Sequence, residues 1–155
     1  AVVERAHEAG HPVGDPDVDE MVATLSRAEY EGTRVAAGVP ALLDRLDAAG
    51  CRLAVLTNGL PEWQTGKLDT HGLGDRFEDV VTSYDAGAHK PDAAIFEAAA
   101  ERTPADRHVM IGDDFEPDVQ AARDAGWDAI HLDGITGARA GSIAELEAAF
   151  SVLDG

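Results

Sequence analysis

Thr57, Asn58 and Gly59 form the first of three short polar clusters that carry residue types suited to chemistry. They offer a hydroxyl, a carboxamide and free backbone N–H groups within three consecutive positions. Such groups can hold a phosphoryl group without contributing a net charge. Asn-Gly is also common in ordinary turns. The three residues by themselves therefore allow two interpretations, an anion site or a simple turn.

Lys90 is the second candidate, because this chain has only two lysines, Lys67 and Lys90. An ammonium group just before a predicted helix could act as a point charge that neutralises a phosphate. The alternative is a solvated loop lysine. His89 precedes Lys90 and could line the same site.

Carboxylates form the third cluster, at Asp113, Asp114 and Asp118. Clustered carboxylates repel each other unless a cation joins them, and Mg²⁺ usually takes one or two carboxylates together with substrate phosphate and water. Asp113 and Asp118 are therefore candidate metal ligands. The alternative is that Asp114 or Glu116 merely caps the next helix.

The elements that must position these clusters alternate along the chain. Short apolar runs predict strands at 52–57, 79–83, 108–111 and 128–132, because such runs are typical of buried parallel strands. Segments with helical periodicity separate them, which predicts an α/β fold with a parallel sheet flanked by helices. Ligands bind at the carboxyl ends of such strands, where the polar clusters lie. Helices are predicted at 41–49, 61–71, 92–102, 117–125 and 142–150.

The first 34 residues have a different pattern. They predict two helices, at 2–9 and 19–30, joined by a loop rich in Gly, Pro and Asp. We therefore expect two regions, a helical segment over 1–34 and an α/β core over 35–155.

Charge and composition exclude several classes of protein. The chain has 30 acidic and 12 basic residues, a formal net charge of −18, which disfavours nucleic acid and anionic membranes as partners. No run approaches the ~18 apolar residues of a membrane span, and no signal peptide is recognisable, so we expect a cytoplasmic protein. Cys51 is the only cysteine and is predicted to lie in the core. The acid excess and the scarcity of lysine are typical of halophilic proteins, although an ordinary acidic protein remains the alternative.

In combination, the three clusters resemble the haloacid dehalogenase-like (HAD) hydrolase superfamily. Residues 57–59 resemble its second motif, Lys90 its third, and Asp113 with Asp118 its fourth. The resemblance extends over 39–133. It implies a three-layer, Rossmann-like parallel sheet for the core, and it implies that residues 1–34 are the C-terminal part of a helical cap.

The resemblance also implies an activity, that of a Mg²⁺-dependent phosphatase that acts on a small phosphorylated metabolite through an aspartyl-phosphate. Thr57 and Asn58, with Gly59, would hold the phosphoryl oxygens, and Lys90 would neutralise them. Asp113 would bind Mg²⁺. Asp118 would bind it through water or orient its ligands.

One departure from the family pattern is the first motif, an apolar strand ending in Asp-x-Asp that supplies the nucleophile. No such strand occurs in this chain, so we expect a truncated enzyme that is inactive alone. The missing strand would lie between strands 52–57 and 108–111, whose exposed edges would favour self-association. Two alternatives remain: a non-catalytic domain that binds a phosphorylated ligand or a partner protein, and a metal-free 2-haloacid dehalogenase.

Overall fold

A computed structural model describes residues 18–132 of the chain. The chain divides into two compact units, Ala1–Thr33 and Arg34–Gly155, which are treated separately below. The helices predicted at 2–9 and 142–150 lie outside the described residues.

The described part of the first unit contains one long helix, α1, over Val18–Gly32. Asp19 and Glu20 occupy its first turn, where their charges complement the positive end of the helix dipole. The predicted helix at 19–30 is confirmed. Its apolar side chains recur with helical spacing and are exposed: Val18, Met21, Val22 and Leu25.

Four strands of four residues each form two parallel pairs in the second unit. The first pair is β1 (Ala54–Thr57) with β2 (Asp79–Thr82), and the second is β3 (Val109–Gly112) with β4 (Asp128–His131). All four strands lie within two residues of the predicted bounds, and the parallel pairing confirms the α/β class. Within residues 18–132, neither pair hydrogen-bonds to the other.

Helices connect the strands and follow the predicted order. A single 3₁₀ turn, Gly74–Arg76, precedes β2. No helix in the described part of the chain is long and apolar enough to cross a membrane. The helices of the second unit are α2 (Val39–Ala48), α3 (Pro61–Thr70), α4 (Ser83–Ala86), α5 (Ala93–Arg102), a π-helical segment (Phe115–Gln120) and α6 (Ala121–Asp124).

The segment predicted as one α-helix at 117–125 is wound differently. It begins at Phe115, runs as a π-helix to Gln120 and only then becomes α6. Two features accompany the wider winding: Pro117 has no N–H to donate, and the Asp118 side chain is buried. Such segments are frequent at functional sites.

Helix α4 was not predicted, because its signal is a short cap rather than an apolar period. The Thr82 hydroxyl donates to Asp85 Oδ2 at 2.8 Å and accepts from the Asp85 N–H at 3.1 Å. Gly87, at φ 66°, then ends the helix in the left-handed conformation that glycine adopts without strain.

The second pair of strands is covered by helices on both faces. Met110 on β3 packs with Ile95 and Phe96 of α5. The next residue, Ile111, packs against Leu42 and Leu46 of α2 on the other face, as the two-residue period of a strand requires. This arrangement is the helix–sheet–helix layering of a Rossmann-like fold.

Cys51, predicted to be a core residue, is exposed. The prediction was wrong because β1 starts only at Ala54, so Cys51 lies in the turn after α2 rather than beside a buried strand.

Ion pairs border the amino ends of the strands. Arg102 at the end of α5 holds Asp79, the first residue of β2, with Nε at 2.6 Å from Oδ2 and Nη2 at 2.5 Å from Oδ1. These hydrogen bonds hold the pKa of Asp79 below its usual range. Two further pairs are Arg52 with Glu78 and Arg107 with Asp128. We call these three pairs the amino-edge ion pairs.

Candidate active site

Lys90 lies at the centre of the candidate site. Its Nζ donates to Asp118 Oδ1 at 2.5 Å and to the backbone carbonyl of Leu56 at 3.2 Å. The Lys90 side chain is only 10% exposed and the Asp118 side chain 8%. Because Leu56 belongs to β1 and Asp118 follows β3, one ammonium group links the two strand pairs.

Asn58 is bound to the backbone of Lys90. Its Nδ2 donates to the Lys90 carbonyl at 2.9 Å, and its Oδ1 accepts from the Lys90 N–H at 2.8 Å. The turn after β1 and the loop that carries Lys90 are therefore joined by two hydrogen bonds. They connect residues 32 positions apart.

Asp118 reaches the site because Gly112 has no side chain. A Cβ atom at Gly112 would lie 2.2 Å from Asp118 Oδ2 and 2.4 Å from its Cβ. Asp118 Oδ2 also accepts a long hydrogen bond from the Asp114 N–H, at 3.3 Å. The glycine at the end of β3 thus makes room for the carboxylate that pairs with Lys90.

Asp113, the other predicted metal ligand, is exposed. Its backbone carbonyl lies 3.1 Å from Nε2 of His131, and the His131 ring meets Phe115 edge to face with centroids 5.4 Å apart. Sequence reasoning missed His131. A usable signal was its position at the carboxyl end of β4, in register with Gly112.

The turn after β1 has another neighbour that the sequence did not reveal. A Cβ atom at Gly59 would lie 2.3 Å from Nε2 of Gln64, so the Gln64 carboxamide covers this glycine. Thr57 is partly buried at the end of β1, in register with Thr82. His89, next to Lys90, is exposed.

The donor set of the acidic cluster consists of oxygen atoms. In the described part of the chain, no group of three His, Cys, Asp or Glu side chains converges on one point. Asp113 and Asp118 offer two carboxylates near the end of β3, and Mg²⁺ in phosphoryl-transfer sites is usually held by one or two carboxylates plus phosphate and water. The chemical type of these donors therefore suits a hard cation of that kind.

Residues 3–126 match the sequence family of haloacid dehalogenase-like hydrolases. The chain therefore belongs to this family, and the fold predicted from the resemblance is confirmed.

Several similar proteins are named as phosphatases. The chain is 40% identical over 87 residues to the glyceraldehyde 3-phosphate phosphatase of Methanothermobacter thermautotrophicus, a match of 55% of this chain and 38% of that protein. A HAD phosphatase from Thermococcus onnurineus superposes with a TM-score of 0.71 at 26% identity, over 88% of this chain and 65% of that one. The HAD-hydrolase YfnB from Bacillus subtilis, in a structure bound to magnesium, superposes with a TM-score of 0.66 at 27% identity. The match covers 80% of this chain and 56% of that one. The chain thus spans less than two thirds of each.

Proposed function

We propose that this chain forms the larger part of a Mg²⁺-dependent phosphatase that hydrolyses a small phosphorylated metabolite. The observation that carries the proposal is the Lys90 ammonium, held at the carboxyl end of β1 and beside Asp118. A nearly buried cation at the strand ends is suited to stabilising the negative charge of a phosphoryl group.

Each polar cluster of the chain has its own role in this proposal. The Thr57 hydroxyl and the backbone N–H groups of the turn at Asn58 and Gly59 bind the phosphoryl oxygens, while the Asn58 side chain is bound to the main chain of Lys90. Lys90 neutralises the charge that develops on them. Asp113 and Asp118 hold Mg²⁺, which when bound would offset further negative charge on the phosphoryl oxygens.

The nucleophile belongs, in this proposal, to a strand ending in Asp-x-Asp that lies outside these 155 residues and pairs between β1 and β3. Two observations support it: β1 and β3 do not pair with each other within residues 18–132, and the chain spans 38% of its phosphatase relative. The oxygen of the first aspartate attacks phosphorus, and the bond to the alcohol oxygen breaks as that oxygen takes a proton from the second aspartate of Asp-x-Asp. Water, which gives a proton back to the second aspartate, then attacks phosphorus in the aspartyl-phosphate, releasing phosphate and restoring the first carboxylate.

The test uses the protein with its upstream segment, with p-nitrophenyl phosphate as substrate and with and without Mg²⁺. We expect turnover that requires Mg²⁺. Lys90→Ala should lower it by about 10² or more, the usual loss when one preorganised charge-stabilising group is removed. His89→Ala is the matched control and should have a much smaller effect. Equal losses in the two variants would show that Lys90 is the wrong residue.

The chain of 155 residues alone should give no turnover, because the proposed nucleophile belongs to the strand outside these residues. Hydrolysis above the blank that Asp113→Asn abolishes would contradict the proposed missing nucleophile. A metal-free 2-haloacid dehalogenase would instead release halide from a 2-haloacid in the presence of a chelator.

A further inference from the structure

Asn58 was assigned by resemblance to the phosphoryl group, but in the structure its carboxamide is engaged elsewhere. Oδ1 accepts from the Lys90 N–H at 2.8 Å and Nδ2 donates to the Lys90 carbonyl at 2.9 Å. A single side chain therefore holds both backbone hydrogen-bonding groups of one residue. Fixing both groups defines the position and the direction of the Lys90 main chain.

The direction of that main chain matters because the Lys90 side chain is long and rotamer-rich. Its Nζ must reach two acceptors on different elements, the Leu56 carbonyl and Asp118 Oδ1. A lysine gives up close to 2 kcal/mol of rotamer entropy when it is fixed in this way. An anchored backbone lowers the further cost of bringing Nζ to that point.

We propose that Asn58 is a positioning residue, which holds the Lys90 main chain so that the ammonium group stays at the end of β1 beside Asp118. Its contribution to a reaction is made through Lys90. The inference rests on the proposed phosphoryl site, which is the reason that Lys90 must be held in place. The position of Lys90 can nevertheless be measured without any substrate.

The chain suits such a measurement because Lys67 and Lys90 are its only lysines. The chain together with its upstream segment, in buffer containing molar KCl, is treated with a trace of acetic anhydride, and the acetylation rates of Lys67 and Lys90 are compared by mass spectrometry. Lys67, on α3, is the internal reference in every sample. Because the Lys90 side chain is 10% exposed and ion-paired, we expect it to react more slowly than Lys67.

Two variants test the role of Asn58. Asn58→Leu has a similar size and removes both hydrogen bonds, so the ratio of the Lys90 rate to the Lys67 rate should rise at least about fivefold, which corresponds to ~1 kcal/mol. Asn58→Asp keeps the acceptor for the Lys90 N–H but loses the donor, and it should give a smaller rise. Tyr84→Ala is the control, because Tyr84 is 72% exposed after β2 and its truncation should leave the ratio unchanged.

Three results would overturn the inference: a wild-type Lys90 that reacts as fast as Lys67, an unchanged ratio in both Asn58 variants, or an equal rise in Tyr84→Ala. Circular dichroism reports whether each variant is folded. If Asn58→Leu is unfolded, Asn58→Asp decides the outcome.

Inorganic phosphate separates this inference from the proposed function. If the phosphoryl site is correct, millimolar phosphate should slow the acetylation of wild-type Lys90 further and leave Lys67 unaffected. If phosphate has no effect while the Asn58 variants still expose Lys90, the proposed phosphoryl site fails and the positioning role of Asn58 stands.

Discussion

At the scale of single residues, the ion pair between Lys90 and Asp118 is the most consequential contact, because both side chains are about nine-tenths buried. A pair of this kind adds little to stability compared with well-packed apolar side chains. Removing one partner is costly, however, because the other charge is left without compensation in a poorly solvated place.

Lys90→Met should therefore lower the free energy of unfolding by about 3 kcal/mol, the lower end of the range for breaking a buried pair. The double variant Lys90→Met with Asp118→Asn should recover part of this loss, since no carboxylate is then left unpaired. Urea denaturation of the protein with its upstream segment, in molar KCl, measures both. His89→Ala, at an exposed position, should be within about 0.5 kcal/mol of wild type. A loss of stability of only about 0.5 kcal/mol in Lys90→Met would contradict the conclusion that Lys90 and Asp118 form a buried ion pair.

The sequence predicted the members of this site better than their connections. Residues 57–59, Lys90 and Asp118 could be found because polar clusters follow strands, and strand ends in a parallel sheet lie together. The hydrogen bonds of Asn58 could not be predicted, because they join residues 32 positions apart and depend on the path of a loop. The position of Gln64 over Gly59 depends in the same way on the side chain's direction, which no residue pattern specifies.

At the scale of elements, the close approach of the π-helical segment to β3 depends on Gly112. Gly112→Ala would place a Cβ atom 2.4 Å from Asp118 Cβ, so the backbone of the segment must shift and the contact with Lys90 is lost. We expect a destabilisation of about 1–3 kcal/mol, as for other overpacked sites. Urea denaturation of the protein with its upstream segment measures this loss, and faster acetylation of Lys90 should accompany it.

The matched control is Gly59→Ala. Its Cβ atom would meet the end of the flexible Gln64 side chain, with Nε2 at 2.3 Å, and that side chain can turn away. This variant should therefore cost clearly less than Gly112→Ala. Equal costs would mean that the space beside Asp118 is not specifically required.

The ion pair between Arg102 and Asp79 gives an acid-dependent contribution to stability. Hydrogen bonds from Arg102 lower the pKa of Asp79, so the folded state favours the charged carboxylate. This contribution is fully present well above the unfolded pKa of about 3.9, and it is lost as the pH falls through that value and then through the lower folded pKa. The side chain of Asp79 is 24% exposed and that of Arg102 is 41% exposed, so solvent screening keeps the contribution below about 1 kcal/mol.

Asp79→Asn should therefore be less stable than wild type at pH 7, and the two should converge as the pH approaches 3. Urea denaturation of the protein with its upstream segment, at a series of pH values, measures this difference. The control is Asp75→Asn, at an exposed position within the 3₁₀ turn Gly74–Arg76. A difference between wild type and Asp79→Asn that persists unchanged at pH 3 would contradict the assignment.

Strands were easier to predict than the winding of the segments around them. The four strands follow apolar runs, and the alternation of Met110 and Ile111 between two helical layers follows from the strand period. In contrast, α4 depends on one interaction between Thr82 and Asp85. The π-helical segment depends on the direction of the buried Asp118 carboxylate. Side-chain contacts of this kind leave no periodic trace in the sequence.

At the scale of the whole molecule, β1 and β3 each have one edge without a strand partner among residues 18–132. Inner strands of a parallel sheet normally pair on both edges, and open edges favour association. We expect the chain alone to melt without clear cooperativity or to form oligomers in light scattering. Adding the residues encoded upstream of Ala1, in cis or as a peptide, should restore a cooperative melt. A monomer that melts sharply without them would contradict this prediction.

The net charge of −18 predicts that folding depends on salt. At low ionic strength the acidic groups repel one another, whereas at 1 M salt the Debye length is only ~3 Å. Far-ultraviolet circular dichroism should show a gain in structure from low salt to molar KCl. The same titration with a non-ionic osmolyte at equal osmolality is the control. It separates the screening of charges from the stabilisation that any solute gives when it is excluded from the protein surface. A flat response to KCl would contradict the halophilic interpretation.

The link that Lys90 makes between β1 and Asp118 also bears on how such sequences can change over generations. A lineage released from selection for activity would still be penalised for replacing this lysine alone, because the aspartate would be left charged and nearly buried. The two positions are therefore epistatic, and they should be retained together or exchanged together. Finding both in a distant homologue is consequently evidence that the domain folds in this way, and it is not sufficient evidence that the homologue is a working enzyme.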